Sequence, residues 1–259
     1  MKRISLTADE LENIETALIQ FGSVVTFDQL SSFFDEDRQY TRIRINKLVK
    51  QGWLKRIKKG VFVIADLSSR GSLSISHKAI VNILAEEAYI SFESALQHHG
   101  LYDQLLTSIN SISLKQYKST TIDSITFNFV KTQRRYFYGW DTHDIDGQAV
   151  NIAHTEKALI DLIQFHRSRY TTDLVLEILR EFKGDISQSR LTDFALQANL
   201  TTRRILGFLM DCVNWDSDRL LASVLDRQSV SWISRSEDRI YNHKWRLYYD
   251  RHFERYSRE

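Results

Sequence analysis

An α+β chain is predicted by three features of the 259-residue sequence. Apolar residues recur at helical spacing over residues 7–51, and period-two alternation with turn signals occupies about 89–152. Helical spacing then returns from 155 to the end. At the close of the first region a basic helix runs directly into a short basic-tipped hairpin. Helix, helix, basic helix and hairpin within the first 64 residues make a complete winged helix-turn-helix. The expectation is therefore an N-terminal winged helix-turn-helix over 1–67, followed over 68–259 by a mixed α/β domain ending in a helical bundle, with strands at about 89–152 and helices over 155–259.

Thr7 is placed to cap the first helix, with Glu10 three residues on completing a capping box and Leu11, Ile14, Ala17 and Leu18 forming the apolar face. Phe21-Gly22 stops it. Val24-Val25 supplies a short strand able to pair with the hairpin, and Thr26 caps a second helix through Leu30 and Phe33. Asp35-Glu36-Asp37 breaks that helix and sets acids at the positive end of the next.

The third helix and the hairpin read RQYTRIRINKLVKQGWLKRIKKGVFVI from Arg38 to Ile64. Nine basic residues and no acid lie between Arg38 and Lys59, while the whole chain is only +2, so the remaining residues sum to −7. Thr41, Ile45, Leu48 and Val49 share the inward face, and Gln39, Tyr40, Ile43, Asn46, Lys47 and Lys50 the outward one, with Arg42 and Arg44 on the flanks. Gly52 ends the helix, and Lys58-Lys59-Gly60 joins Trp53–Ile57 to Val61–Ile64. An ordinary solvated helix face mixes signs; this one carries base-reading side chains among cations only, which points to double-stranded DNA. Gln39, Tyr40, Ile43 and Asn46 are expected at base edges, and Arg42, Arg44, Lys47, Lys50, Lys58 and Lys59 at phosphates.

A polar joint at Asp66–Leu73 marks the expected domain boundary. Beyond it come a helix over about Ile75–Glu87 with Ile80, Ile83 and Leu84 inward, an extended Tyr89–Phe92, and a short helix Glu93–His99 ended by Gly100. Ile109–Lys115 and Ile122–Val130 read as strands, Arg134–Trp140 as a basic and aromatic run, and Asp146-Gly147 as a tight hairpin turn. Thr155 is placed to cap a helix with Ala158, Leu159, Leu162 and Ile163 inward; further helices fit Thr172–Phe182, Ser187–Ala198, Thr201–Cys212 and Ser217–Leu225. Trp245, Tyr249, Phe253 and Tyr256 recur at helical spacing, which predicts a closing helix packed into the core, the alternative being a partner-binding surface.

Composition and motifs exclude several chemistries. The single cysteine, Cys212, allows no internal disulfide and no zinc site built on several cysteines, and its apolar surroundings predict a core residue. The opening MKRISLTADELENIE has no apolar signal segment and no stretch is apolar enough to span a bilayer, so the expected location is the cytoplasm, without membrane contact. Proline is absent. Gly71-Ser72 lacks the paired carboxylates a nucleotidyltransferase places after such a turn, since Asp144-Ile145-Asp146 lies far downstream in a hairpin. The strand ending Asn128-Phe129-Val130-Lys131 lacks the acid of a metal-dependent nuclease, and no Gly-rich phosphate loop occurs. Adjacent His98 and His99 diverge on a helix and do not form a zinc-binding pair. Glu156, Lys157 and Asp161 read as an ordinary polar helix face. No catalytic residue, metal ligand or cofactor is assigned.

Three segments resemble the AbiEi antitoxin family, the regulatory partners of type IV abortive-infection toxin–antitoxin pairs in bacterial phage defence. They are LVKQGWLKRIKKGVFVI, YISFESALQHHGL at Tyr89–Leu101, and IAHTEKALIDLI at Ile152–Ile163; RRYFYGW at Arg134–Trp140 also fits, and together they span 24 to about 182. Where family members often carry proline before the Glu-Lys-Ala helix, this chain has His154-Thr155. The resemblance implies an autorepressor that binds inverted repeats in the promoter of its own operon, with a C-terminal domain needed to counteract a nucleotidyltransferase-like toxin, a stable complex with that toxin not being required. Arg134, Arg135 and Tyr136 are then a candidate antitoxin surface, equally readable as a DNA-supporting patch or as a strand with solvated arginines. Binding of inverted repeats needs two winged helices, from a weak dimer or from two monomers loaded side by side. Competing readings are a module that neutralises a toxin by direct contact, a solitary winged-helix regulator, and a nucleic-acid enzyme with a DNA-reading domain.

Overall fold

A computed structural model describes residues 6–34, 37–66, 72–235 and 237–256. The chain is a mixture of helices and sheets that divides into two compact units, one formed by residues 1–86 with 143–150 and the other by 87–142 with 151–259.

In the first unit, α1 (Ala8–Phe21) starts at Thr7, whose hydroxyl accepts the Glu10 N–H at 3.2 Å while the Glu10 carboxylate accepts the Thr7 N–H at 3.1 Å. The same reciprocal box, Thr26 with Gln29, starts α2 (Phe27–Ser31) immediately after β1 (Val24–Thr26). Then follow α3 (Arg38–Gln51), β2 (Leu54–Lys58) and β3 (Val61–Ile64). The three strands form an antiparallel sheet in the order β1–β3–β2, with Val25 opposite Phe62 and Arg56 opposite Phe62 on the other side. Ile14, Ala17, Leu30, Ile45 and Leu48 from the helices and Val25, Leu54, Phe62 and Ile64 from the sheet share one core. Each Val, Leu, Ile or Phe side chain among them, fully buried, contributes about 1.5–3 kcal/mol.

The expected boundary lies partly at 67–71, outside the described residues. By packing, the first unit continues through α4 (His77–Leu84), because the Lys58 ammonium donates to the Ile83 carbonyl. It also takes in the tip of a later hairpin, where Asp146 accepts the Ser76 N–H at 2.6 Å.

The second unit is built on a sheet ordered β6–β7–β5–β4–β9–β8, from β4 (Tyr89–Ile90), β5 (Ser108–Ser113), β6 (Thr120–Ile122), β7 (Ile125–Lys131), β8 (Trp140–Ile145) and β9 (Gln148–Ala153), residues 143–150 of the last two being the hairpin end counted with the first unit, and with α5 (Phe92–His98) after β4. The Asp146-Gly147 turn forms as expected, both residues having positive φ, 54° and 72°. The single strand expected over Ile122–Val130 is instead two antiparallel strands, because Asp123 at φ 54° turns the chain. Arg134–Trp140 is also not one extended run: Arg134–Tyr136 is a 3-10 turn and β8 begins only at Trp140.

The helices are α6 (Thr155–Phe165), α7 (Arg169–Glu181), α8 (Gln188–Ala195), α9 (Leu200–Cys212) and α10 (Asp218–Ala222). Ser168 and Asn199 cap α7 and α9, and His154, not Thr155 as expected, precedes α6, with Thr155 its first residue. No described helix is long and apolar enough to cross a membrane.

The end of the chain corrects the expected closing helix and the all-helical reading of 155–259. It is a three-stranded sheet ordered β10–β12–β11, from β10 (Ser231–Trp232), β11 (Arg239–Asn242) and β12 (Leu247–Asp250), followed by a 3-10 turn over Arg251–Tyr256. Arg246 at φ 48° breaks any helix between Trp245 and Tyr249. The aromatic spacing of four satisfies period two as well as period 3.6, and Leu247 and Tyr249 are buried while Tyr248 is exposed.

Candidate nucleic-acid interface

Asp37 caps α3, its carboxylate accepting the Gln39 N–H at 2.6 Å and the Tyr40 N–H at 3.1 Å. At the other end Gly52 takes the left-handed conformation, φ 83° and ψ 11°, which lets the Trp53 N–H reach the Leu48 carbonyl at 3.0 Å and turns the chain directly into β2. Thr41, Ile45 and Leu48 are buried beneath the helix, and Val49 is half-buried. The opposite face presents Gln39, Tyr40, Arg42, Ile43, Asn46, Lys47 and Lys50 to solvent, with Tyr40 64% and Ile43 59% exposed.

Two hollows meet on this face. A shallow one of about 440 Å³ runs along Arg38, Gln39, Arg42, Ile43 and Asn46. A groove of about 730 Å³ extends from Arg42 and Asn46 to Thr26 and Asp28 on one side and to Arg56, Lys59 and Gly60 of the hairpin on the other. Gly60 forms the hairpin tip at φ 75°, and its carbonyl accepts the Phe27 N–H at 2.8 Å, fixing the tip against the start of α2.

The cations divide into two kinds. Arg42, Lys50, Arg56 and Lys59 are exposed around the groove and the outward face of α3. Others are held within the unit. Arg38 lies 3.5 Å from Asp28 and over the Phe27 ring, Arg44 is half-buried with its guanidinium 4.6 Å from the Phe34 ring centroid, and Lys58 is bound to the Ile83 carbonyl. Lys47 donates to Glu10 at 2.8 Å. Burial alone would raise the Glu10 carboxyl, but the Lys47 ammonium and the Thr7 N–H outweigh it and hold it below its ordinary 4.5. A carboxylate with a lowered folded value stabilises fully above its unfolded value and loses that contribution as pH falls through the folded one. Lys47→Met is therefore expected to flatten the acid limb of stability, read as urea midpoints between about pH 3 and pH 6; an unchanged limb would mean the pair contributes nothing.

In the second unit Arg134 and Arg135 are exposed on the 3-10 turn, and the Arg135 guanidinium stacks 4.6 Å over Tyr136. The rest of that run turns inward: Phe137 and Trp140 pack on the buried Tyr89, the Trp140 ring stacked at 4.8 Å and 9°. Glu156, Lys157 and Asp161 are all buried, which corrects their reading as a polar face. Lys157 pairs with Asp161, which also accepts from Ser91 Oγ at 2.7 Å and from Tyr89 Oη at 3.2 Å. Burial pushes the Asp161 carboxyl up and the Lys157 ammonium down, while each charge pulls the other back. Glu156 accepts the Ser187 N–H at the start of α8 at 2.8 Å. The i, i+4 spacing of Lys157 and Asp161 is the sequence signal of this pair. His99 contacts the Ala153 carbonyl through Nε2 at 2.8 Å, a structural use of the His-His step. Cys212 is half-buried rather than a full core residue. Among the described residues no cluster of His, Cys, Asp and Glu could hold a metal ion.

No protein family and no curated protein was matched by the sequence. In fold, the chain is similar to the crystal structure of the RV2827C protein from Mycobacterium tuberculosis, with a TM-score of 0.66 at 14% identity over 95% of this chain and 92% of that one.

Proposed function

We propose that the chain is a sequence-specific DNA-binding autorepressor that also serves as the antitoxin of its operon, with the first unit acting as a winged helix-turn-helix. The observation that carries the DNA reading is the outward face of α3, where Gln39, Tyr40, Ile43 and Asn46 line up beside Arg42 and open into a groove rimmed by Arg56 and Lys59. A helix of this kind fits a major groove, and the β2–β3 tip is placed to meet a neighbouring phosphate. Asn46 has the donor and acceptor to pair with adenine, and Ile43 an apolar surface for a thymine methyl. Arg42, Lys50 and Lys59 take phosphates. Lys47 and Lys58 have partners within the unit and contribute less. The antitoxin half rests on the resemblance of YISFESALQHHGL and IAHTEKALIDLI and on the exposed Arg134 and Arg135 beside the half-buried Tyr136. No catalytic step is assigned.

The test is an anisotropy titration against the protein's own upstream promoter and a scrambled duplex at two salt concentrations. Promoter-selective binding with a steep salt slope is expected. Asn46→Ala should weaken promoter binding by about 1–3 kcal/mol and leave the scrambled duplex unaffected. Lys59→Ala should weaken both duplexes alike and lower the salt slope by about one, and Lys58→Ala should change it less. Weak binding, equal on both duplexes, would refute the repressor and favour a module that contacts the toxin directly.

A further inference from the structure

The closing sheet of the second unit has an aromatic row that the DNA reading does not use. Trp232 on β10 is the register partner of Tyr248 on β12, and Tyr248 that of Tyr241 on β11, so the three side chains cross the sheet on one face. Trp232 is 38% and Tyr248 39% exposed, and the Tyr241 and Tyr248 rings lie 5.0 Å apart. The other face is covered: Leu247 and Ile233 are buried, and Tyr249 packs on Phe208 of α9 at 4.8 Å. A structural role would bury the row; here Trp232 and Tyr248 point outward.

Positive charge borders the row. The Arg239 guanidinium lies 5.6 Å from the Tyr248 ring centroid, and His243 meets the Tyr241 ring edge-on at 4.8 Å. His243, Lys244 and Arg246 then line a hollow of about 240 Å³, with Arg204 in its wall. Arg204 is fully buried, yet its partners are neutral oxygens, the Ser229 and Arg227 carbonyls and Ser231 Oγ, and its Nε has no hydrogen-bond partner. Arg246 likewise binds the Arg227 carbonyl and Gln228 Oε1, both neutral. Among the described residues no nearby carboxylate is paired with Arg204 or Arg246: Asp211 is bound to Lys244 and Trp245, Asp238 to Arg251 and Asp226 to Arg227, and the buried Asp250 accepts from Ser234. A buried guanidinium bound only to neutral oxygens, next to the half-buried Arg246 bound in the same way, leaves both free of a direct carboxylate partner and available to an anion.

We propose that this face binds single-stranded nucleic acid, with bases stacked on Trp232 and Tyr248 beside Tyr241 and the backbone phosphates drawn to Arg239 and Arg246. The exposed faces of Trp232 and Tyr248 can accept any unpaired base, with the half-buried Tyr241 tilted 50° beside Tyr248, and the flanking Arg239 and Arg246 give charge complementarity to a phosphate chain. A duplex offers no free base faces, so this surface is distinct in ligand and in position from α3, and it stands or falls independently of the repressor reading.

The experiment uses the full chain carrying Arg42→Ala and Lys59→Ala, which weakens binding through the first unit. Fluorescein-labelled oligo(U) and oligo(dT) dodecamers, an abasic strand of equal length and a duplex are titrated by anisotropy. Expected are binding of one or both single strands, weaker binding of the abasic strand and the duplex, and a loss of at least about tenfold for Trp232→Ala with Tyr248→Ala. Trp232→Phe, which keeps a stacking ring, should restore most of it, and the comparison of oligo(U) with oligo(dT) identifies RNA or DNA as the source. Equal binding of the abasic strand, no effect of the aromatic variants, or no binding at all would overturn the proposal. So would self-association of the chain that the aromatic variants abolish, since the face would then belong to a second copy.

Discussion

Asp161→Ala is expected to destabilise the second unit by about 3–5 kcal/mol, because it leaves the Lys157 ammonium buried without its counter-ion. Both side chains are fully buried on α6. The remaining neighbours of the ammonium are the Tyr138 and Tyr89 rings, at 4.6 and 5.5 Å from their centroids, which solvate a cation far less well than water does. Moving the ammonium outward is blocked as well: an added Cβ at Gly139 would already sit 3.1 Å from Lys157 Cγ, so the stem is tightly enclosed. A fall in the thermal midpoint on the order of 10 °C follows for a unit of this size. Urea unfolding followed by tryptophan fluorescence would measure it, since Trp140 stacks on Tyr89 beside the pair. The double variant Lys157→Met with Asp161→Leu should recover most of the loss, as apolar replacements of a buried pair commonly do. A loss under about 1 kcal/mol for Asp161→Ala would mean that water reaches the site and the pair is not truly desolvated.

Gly207→Ala should cost about 3 kcal/mol, at the upper end of overpacking penalties. The added Cβ would lie 2.0 Å from Trp245 Cη2 and 2.3 Å from Cζ3, so the indole has to move. It is poorly able to do so. Trp245 is fully buried, its Nε1–H donates to Asp211 at 2.7 Å, and its backbone N–H donates to Asn242 at 3.0 Å. Asp211 is itself held by Lys244 at 2.8 Å and Ser217 Oγ at 2.6 Å. Pairing Gly207→Ala with Trp245→Leu removes the clash, so the two substitutions should be coupled by more than about 1 kcal/mol in a double-mutant cycle. Strict additivity of their urea-derived stabilities would show that the indole does not rest on Gly207.

The aromatic row and the buried pair mark where local pattern reading stops. In the first unit each local signal had one meaning. Thr7 with Glu10 and Thr26 with Gln29 form the capping boxes their spacing specifies, Gly52 and Gly60 take the positive φ their neighbours require, and the outward face of α3 is the one its inward apolar stripe leaves over. These devices act within a few residues of themselves, so sequence suffices to find them. In the second unit the Trp245, Tyr249 and Phe253 spacing fits both a helix and a strand, and only the packing of the chain end on α9 selects the strand.

Local sequence patterns therefore suffice for the mixed helix-and-sheet class, the order of elements through β3, and the set of side chains offered by α3. Tertiary structure alone decided which charges are available. Lys47 is spent on Glu10 and Lys58 on the Ile83 carbonyl, contacts with residues 37 and 25 positions away. It also decided that Lys157 and Asp161 face inward on a helix buried on every side, that Arg204 lies buried without a carboxylate, and that Trp232, Tyr241 and Tyr248 line up across three strands. The physical reason is the same in each case. Capping and turn formation depend on dihedral angles and near neighbours, whereas the state of a charge or an aromatic face depends on which distant chain segment excludes water from it.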